Sequence, residues 1–294
     1  MKINSQEKLP SYGGQALIEG VLMRGRKYVV GAFRTPEGKI TVESEELTGL
    51  YQSKIAKLPF LRGLVILWDS LSLGMKFLTI SANIQASEEE EKIEGGTLIL
   101  TVLISLSLSV GFFFVLPTLI TSFIAHLIPM TNFLVNVLEG VFRLLILVGY
   151  LWVIGFSKDI ARVFQYHGAE HKTINAFEAG IDLKVDNIRD YPLAHARCGT
   201  SFLLTLVVLS IVFFSILGPM PLLVRILTRV LLVPVLAMLS YEVIRWMGAH
   251  QENLIVRMIT APNLLLQRLT TREPDDLQIE VALTAFNNLL VLEK

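Results

Sequence analysis

Residues 97–128 contain no Asp, Glu, Lys or Arg, and few architectures accommodate so long an uncharged apolar run. About 20 apolar residues in a helix cross the hydrocarbon core of a bilayer. Backbone groups there must bond within the segment, which favours helix. Three further runs read the same way, at 137–156, 201–217 and about 222–246, with turns at Pro129-Met130-Thr131-Asn132 and Gly218-Pro219-Met220-Pro221. Pro117 is placed to kink the first run. The chain is 52% hydrophobic and 18% charged, with mean hydropathy +0.57. Together these predict a mainly α, polytopic membrane protein of about four transmembrane helices whose first partner is the lipid bilayer. With zero net charge and no Lys/Arg-rich run, a nucleic-acid partner is excluded. Cys198 is the single cysteine, so no intrachain disulfide forms. Residues 1–10 are polar and lack an apolar core, so no cleavable signal peptide is expected.

Basic residues set the expected orientation. Lys158, Arg162, Lys172, Lys184, Arg189 and Arg197 crowd the loop between the second and third runs, whereas the opposite turns carry none. By the positive-inside rule that loop, the N-terminal region and the C-terminal tail face the cytoplasm, in a cell (inner or plasma) membrane. Three regions follow. Residues 1–95 hold a small α+β part, with extended runs at 28–33 and 40–45 around Thr35-Pro36-Glu37-Gly38. They continue into an apolar helix in which Arg62, Asp69 and Lys76 recur every seven residues. That stripe reads first as a solvated face of an interfacial helix, and second as charges turned inward. The acidic run 88–91 reads as a solvated linker. Residues 96–247 form the four-span domain with its cytoplasmic loop 157–199. Residues 248–294 form a helical tail whose last helix opens at Thr271-Arg272-Glu273-Pro274 and presents Ile279, Ala282, Ala285, Phe286 and Leu289 on one face.

Few charges interrupt the spans. Glu139 and Arg143, one helical turn apart, are expected to neutralise each other, and Arg225 and Arg229 to snorkel to the far interface. Glu242 is expected either to pair with Arg245 or to join a site.

The chemistry concentrates in the basic loop. His167-Gly168-Ala169-Glu170-His171 places two imidazoles at i and i+4 on one helix face with a carboxylate beside them. The order H-x-x-E-H inverts the zinc signature H-E-x-x-H. Glu178 returns to nearly the same direction eleven residues after His167. His195-Ala196-Arg197-Cys198 follows, and imidazole with thiolate are good zinc ligands. His167 and His171 are therefore candidate ligands, with His195 or Cys198 as the third. Zinc held there would acidify a bound water, with Glu170 as proton acceptor. Glu19, in a glycine-rich stretch, is a candidate second acid/base or ligand capping the site, against a plain turn-rich strand. A hydrogen-bonded polar cluster at the membrane surface is the competing reading of the histidines. Cys198 alone reads more simply as a small buried residue, and His250 as an interfacial helix end. No P-loop, dinucleotide fingerprint or nucleophile elbow is present.

Five stretches carry a resemblance to a known family: residues 13–25 (opening Gly13-Gly14-Gln15-Ala16), 166–172, 195–202, 241–245 and 269–274. The chain resembles a bacterial inner-membrane family of the YqhQ type, a domain of unknown function described as a predicted metal-dependent enzyme. The third stretch has Ala196 where the family usually has Pro, which leaves the ligand candidates untouched. The resemblance implies a multi-span membrane protein with a metal site and supplies no substrate.

The expected activity is that of a zinc-dependent hydrolase at the cytoplasmic membrane face, acting on a membrane-associated peptide or lipid-linked substrate. The alternative is a non-enzymatic membrane factor, a scaffold or assembly helper, with a structural metal or polar His cluster. A transporter is weaker, because the first and third runs carry no ionisable group along most of their length.

Overall fold

The computed structural model describes residues 12–49, 53, 58–86 and 95–294, without side-chain placement at 95–98. The acidic run 88–91 and residues 1–10 lie outside the described residues.

Four strands, β1 (Gly13–Leu17), β2 (Gly20–Arg24), β3 (Tyr28–Arg34) and β4 (Ile40–Glu46), form an antiparallel meander in the order β1-β2-β3-β4. The expected hairpin is β3–β4. Its turn closes through Thr35 N–H to Lys39 O at 2.8 Å, with Gly38 at φ 83°. Strands alternate their side chains between two faces, and this sheet buries both. Val21, Met23, Val30 and Ala32 pack on one side with Ile279, Ala282, Ala285, Phe286 and Leu289 of the last helix, the face read from the sequence. Leu17, Leu22, Val29 and Phe33 pack on the other side with Leu73 and Phe77 of α1 (Leu61–Gln85).

α1 corrects the first reading of its charged stripe. Two of the charges turn inward, Arg62 to Glu242 and Asp69 (1% exposed) to Arg24 at 2.5 Å, whereas Lys76 stays exposed and pairs with Glu45 at the surface at 2.5 Å. Leu67, Trp68 and Leu71 are exposed.

The apolar bundle begins with α2 (Gly95–Val110), a π-helical turn at Gly111–Val115, and α3 (Leu116–Leu127). The irregularity lies where Pro117 was expected to act. Proline has no N–H to give to the carbonyl four residues back. That carbonyl, Phe113 O, accepts from Arg143 Nε at 3.0 Å instead. α4 (Asn132–Ile154) returns, capped by the Thr131 side chain. Then come α5 (Lys158–Glu178), α6 (Val185–Arg189), α7 (Gly199–Ile216), α8 (Leu222–Leu231), α9 (Val233–Ala249), α10 (Leu254–Gln267) and α11 (Asp276–Leu292). α11 opens on a capping box of Asp275 and Gln278.

By length and composition, α1, α2–α3, α4 and α7 are each able to cross a membrane, and α8–α9, bent by 42°, makes a fifth if taken as one span. α1 meets that test but its second half is committed to the sheet, ending with Gln85 Nε2 on Arg34 O at 2.7 Å. α10 is too short to cross and packs its Leu266 among Leu147, Leu151, Leu204 and Val207. Ile255, Met258 and Ile259 are exposed. The expected tail thus begins with a helix belonging to the bundle.

Candidate metal centre

α5 is the helix on which the site is built. It packs against β1, and the chain after α10 folds back along it: Arg272 N–H donates to Phe164 O at 2.9 Å. Gly168 makes that approach possible, since a Cβ there would lie 2.1 Å from Arg272 O. This segment fixes the first imidazole, with His167 Nδ1 2.8 Å from Thr270 O. The loop before α7 fixes the second, with His171 Nδ1 2.5 Å from Leu193 O. A carbonyl only accepts, so each Nδ1 carries the proton and each Nε2 offers its lone pair inward. Carbonyl-braced imidazoles of this tautomer are the usual support of histidine metal ligands.

Cys198 completes the group. It caps the N-terminus of α7, where Thr200 N–H reaches its sulfur at 3.4 Å, a donor suited to a sulfur bearing negative charge. Sγ lies 3.2 Å from His167 Nε2, and ligand atoms of His167, His171 and Cys198 all fall within 4.8 Å of one another. Among the three, His171 Nε2 is buried with no hydrogen-bond partner. An orphaned acceptor in a fully buried ring costs about 1–3 kcal/mol, and a cation at the centre of the group would remove that cost. The donor set of two imidazoles and one thiolate fits zinc with an open fourth position.

Glu170 stands beside the group, its Oε2 3.8 Å from His167 Nε2 and 4.0 Å from His171 Nε2. Burial pushes its carboxyl above the usual carboxylate range, against the pull of His167 and His195. Burial likewise lowers His171 and His195, keeping both imidazoles neutral, the form a metal requires. Gly14 of β1 closes over the carboxylate, for a Cβ there would lie 2.6 Å from Glu170 Cγ.

His195 sits behind the three, its ring 5.5 Å from that of His171 and its Nε2 3.8 Å from Glu178 Oε2. Gln267 clamps its backbone, accepting from His195 N–H at 3.0 Å and donating to His195 O at 2.9 Å. Of the two candidates for third ligand, Cys198 is the one in the tight group. Glu178 pairs with Arg197. Glu19 is not brought to the group: it occupies the β1–β2 turn at φ 50° and is held by Arg162, at 2.5 Å to Nη2, and by the Tyr166 hydroxyl at 3.1 Å. β1 carries Gly14 to the site, and the turn lies about 15 Å further along the strand. Glu242 takes neither expected role, because it binds Arg62. The braces Thr270, Leu193 and Gln267 were missed from the sequence. Two of them act through carbonyls, which leave no side-chain signature.

The group opens on a cavity of 490 Å³ whose lining includes His167, Glu170, His171 and Cys198, the charged Arg24, Asp69, Arg197 and Arg245, and the apolar Leu22, Ile66, Leu73 and Phe202.

Comparison with known proteins places these observations in a lineage. Residues 58–292 match the model of the family described as "Protein of unknown function (DUF1385)". The "Uncharacterized protein YqhQ" of Bacillus subtilis (strain 168) is 35% identical over 97% of this chain and 93% of its own length. No solved structure matches.

Proposed function

This chain belongs to the DUF1385 family, and we propose that it is a membrane-bound, metal-dependent hydrolase with its site at the cytoplasmic face. The reading rests above all on the convergence of His167, His171 and Cys198, whose ligand atoms lie within 4.8 Å of one another, with His171 Nδ1 braced by Leu193 O so that its buried Nε2 is left for the group. His167, His171 and Cys198 would hold a divalent ion, zinc by donor type. Bound there, the ion would supply Lewis acidity and an acidified water.

Glu170 takes the proton of the attacking water and returns it to the leaving group. Burial raises its proton affinity above that of an ordinary carboxylate, which suits that two-way role. His195, neutral and 5.5 Å behind His171, is placed to donate to charge that develops beyond the ligand group. The cavity suggests the substrate class, since Arg24, Arg197 and Arg245 share its lining with the apolar Leu22, Ile66, Leu73 and Phe202, while Asp69 offsets Arg24 and Glu178 offsets Arg197. An amphiphile with an anionic group, drawn from the membrane surface, matches that mixed lining, with Arg245 as the arginine not committed to a carboxylate of the site.

A Glu170→Gln variant tests the reading. Purified wild type incubated with a membrane lipid extract should consume an anionic amphiphile, read by mass spectrometry. Glu170→Gln should retain metal and turn over at least about a hundredfold more slowly. Complementation of a deletion strain by Glu170→Gln to wild-type level would point instead to a structural metal that staples α5 to the start of α7.

A further inference from the structure

The opposite end of the bundle holds a second cluster, independent of the metal reading. Between residues 97 and 156 the only acid is Glu139 and the only basic side chain apart from His126 is Arg143; between 199 and 241 the only charged residues are Arg225 and Arg229. All four meet. Glu139 accepts from Arg143 Nη2 at 2.8 Å, from Arg229 Nε at 3.0 Å and from Arg225 Nη2. Glu139, Arg143 and Arg229 are at most 2% exposed by side chain, and Arg225 is 12% exposed. The expectation that Arg143 alone neutralises Glu139, while the other two snorkel outward, is therefore corrected.

Three guanidiniums face one carboxylate, and arginine does not give up its proton. The cluster therefore carries two uncompensated positive charges inside apolar helices, where an unpaired charge costs several kcal/mol. Neutral groups absorb part of the hydrogen-bonding demand: Phe113 O and Ser210 Oγ take Arg143, and Asn136 Oδ1 takes Arg229. Phe214 lies under Arg229 at 4.1 Å and under Arg143 at 5.4 Å. None of these brings a negative charge. Two buried donors, Arg225 Nε and Arg229 Nη1, have no partner.

We propose that this cluster binds the phosphate of a net-anionic ligand, one with no headgroup cation to offset it, at the far membrane interface. Guanidinium forks match phosphate oxygens in geometry and charge. Arg225, four residues after the turn at Pro221, is the cluster's outlet, flanked by Thr121 Oγ1 at 3.3 Å and Ser122 Oγ at 3.4 Å. The outer side of α8 is apolar and exposed at Leu223, Leu227 and Leu231. A phospholipid seated with its phosphate at Arg225 would lay its acyl chains along that side, though free phosphate satisfies the same donors.

The test is native mass spectrometry of the full chain in detergent, titrated with phosphatidylglycerol, phosphatidylcholine or inorganic phosphate. The variants are Arg225→Gln and, as a surface control, Lys158→Gln. Wild type should hold phosphatidylglycerol about tenfold more tightly than phosphatidylcholine, with Arg225→Gln losing that preference and Lys158→Gln keeping it. Saturable inorganic phosphate binding lost in Arg225→Gln, without lipid preference, would support the site with free phosphate as its ligand. Should Arg225→Gln fail to fold, Arg225→Lys, which keeps the charge and loses the fork, should weaken binding. Equal binding of both lipids with no phosphate binding, or equal losses in Arg225→Gln and Lys158→Gln, would overturn the proposal.

Discussion

Single side chains at the centre have separable roles. Gly14→Ala would push a methyl group against Glu170 Cγ, 2.6 Å away, and displace the carboxylate while leaving the ligands in place. Activity should fall with metal content retained, which elemental analysis beside a turnover assay would show. Gly168→Ala meets backbone, at 2.1 Å from Arg272 O, and backbone yields less than a side chain. We expect a stability loss of about 1–3 kcal/mol, read as a lower melting temperature in detergent, and weaker metal retention because Thr270 moves with Arg272. The histidines and Cys198 were legible from spacing and ligand chemistry. Glu19 was misread because proximity to glycines says nothing about which end of a strand reaches the site. Gly14, at the near end, gave no sign of its role, since glycine acts there by what it lacks.

Elements were legible where periodicity or turn chemistry spoke, as in the β3–β4 hairpin and the buried face of α11. α1 was ambiguous because a seven-residue charge repeat looks the same facing water or facing partners. Its inward pairing makes a prediction. Asp69→Asn leaves Arg24 beside a neutral group, and with Arg24 a third exposed the loss should be about 1–3 kcal/mol by thermal melting. The β1–β2 turn is tied to α5 through Glu19, whose carboxyl Arg162 holds below the usual carboxylate range by hydrogen bonding. A depressed folded-state pKa contributes stability that is present above the unfolded value, about 4.3, and lost as pH falls through the folded value. Wild type and Glu19→Gln should therefore differ in melting temperature at pH 7 and converge in strong acid. A constant difference across that range would contradict the pair's contribution, which its partial exposure keeps to about 1 kcal/mol or less.

At the scale of the molecule, the sheet packs on α5 and α11 in one core, so any membrane must leave all three on one side. α1 begins and ends with partners of that side or at the bundle's near end, which leaves α2–α3, α4, α7 and α8–α9 as the candidate crossings, two before α5 and two after it. Parity is thus satisfied by four. Reporters fused before residue 12 and after residue 294 should report the same compartment, the cytoplasm by the basic loop; opposite compartments would require α1 to cross. The sequence could not show that the sheet would be shared between α1 and α11, because both contacts join residues distant along the chain, as Phe33 with Phe77 and Ala32 with the face of α11.

The metal centre bears most directly on what the protein does, and elemental analysis of the purified full chain tests it. The account predicts a stoichiometric divalent ion in wild type, retained in Glu170→Gln and lost in His171→Ala. Wild type without stoichiometric metal after purification and reloading, or His171→Ala holding as much as wild type, would contradict it.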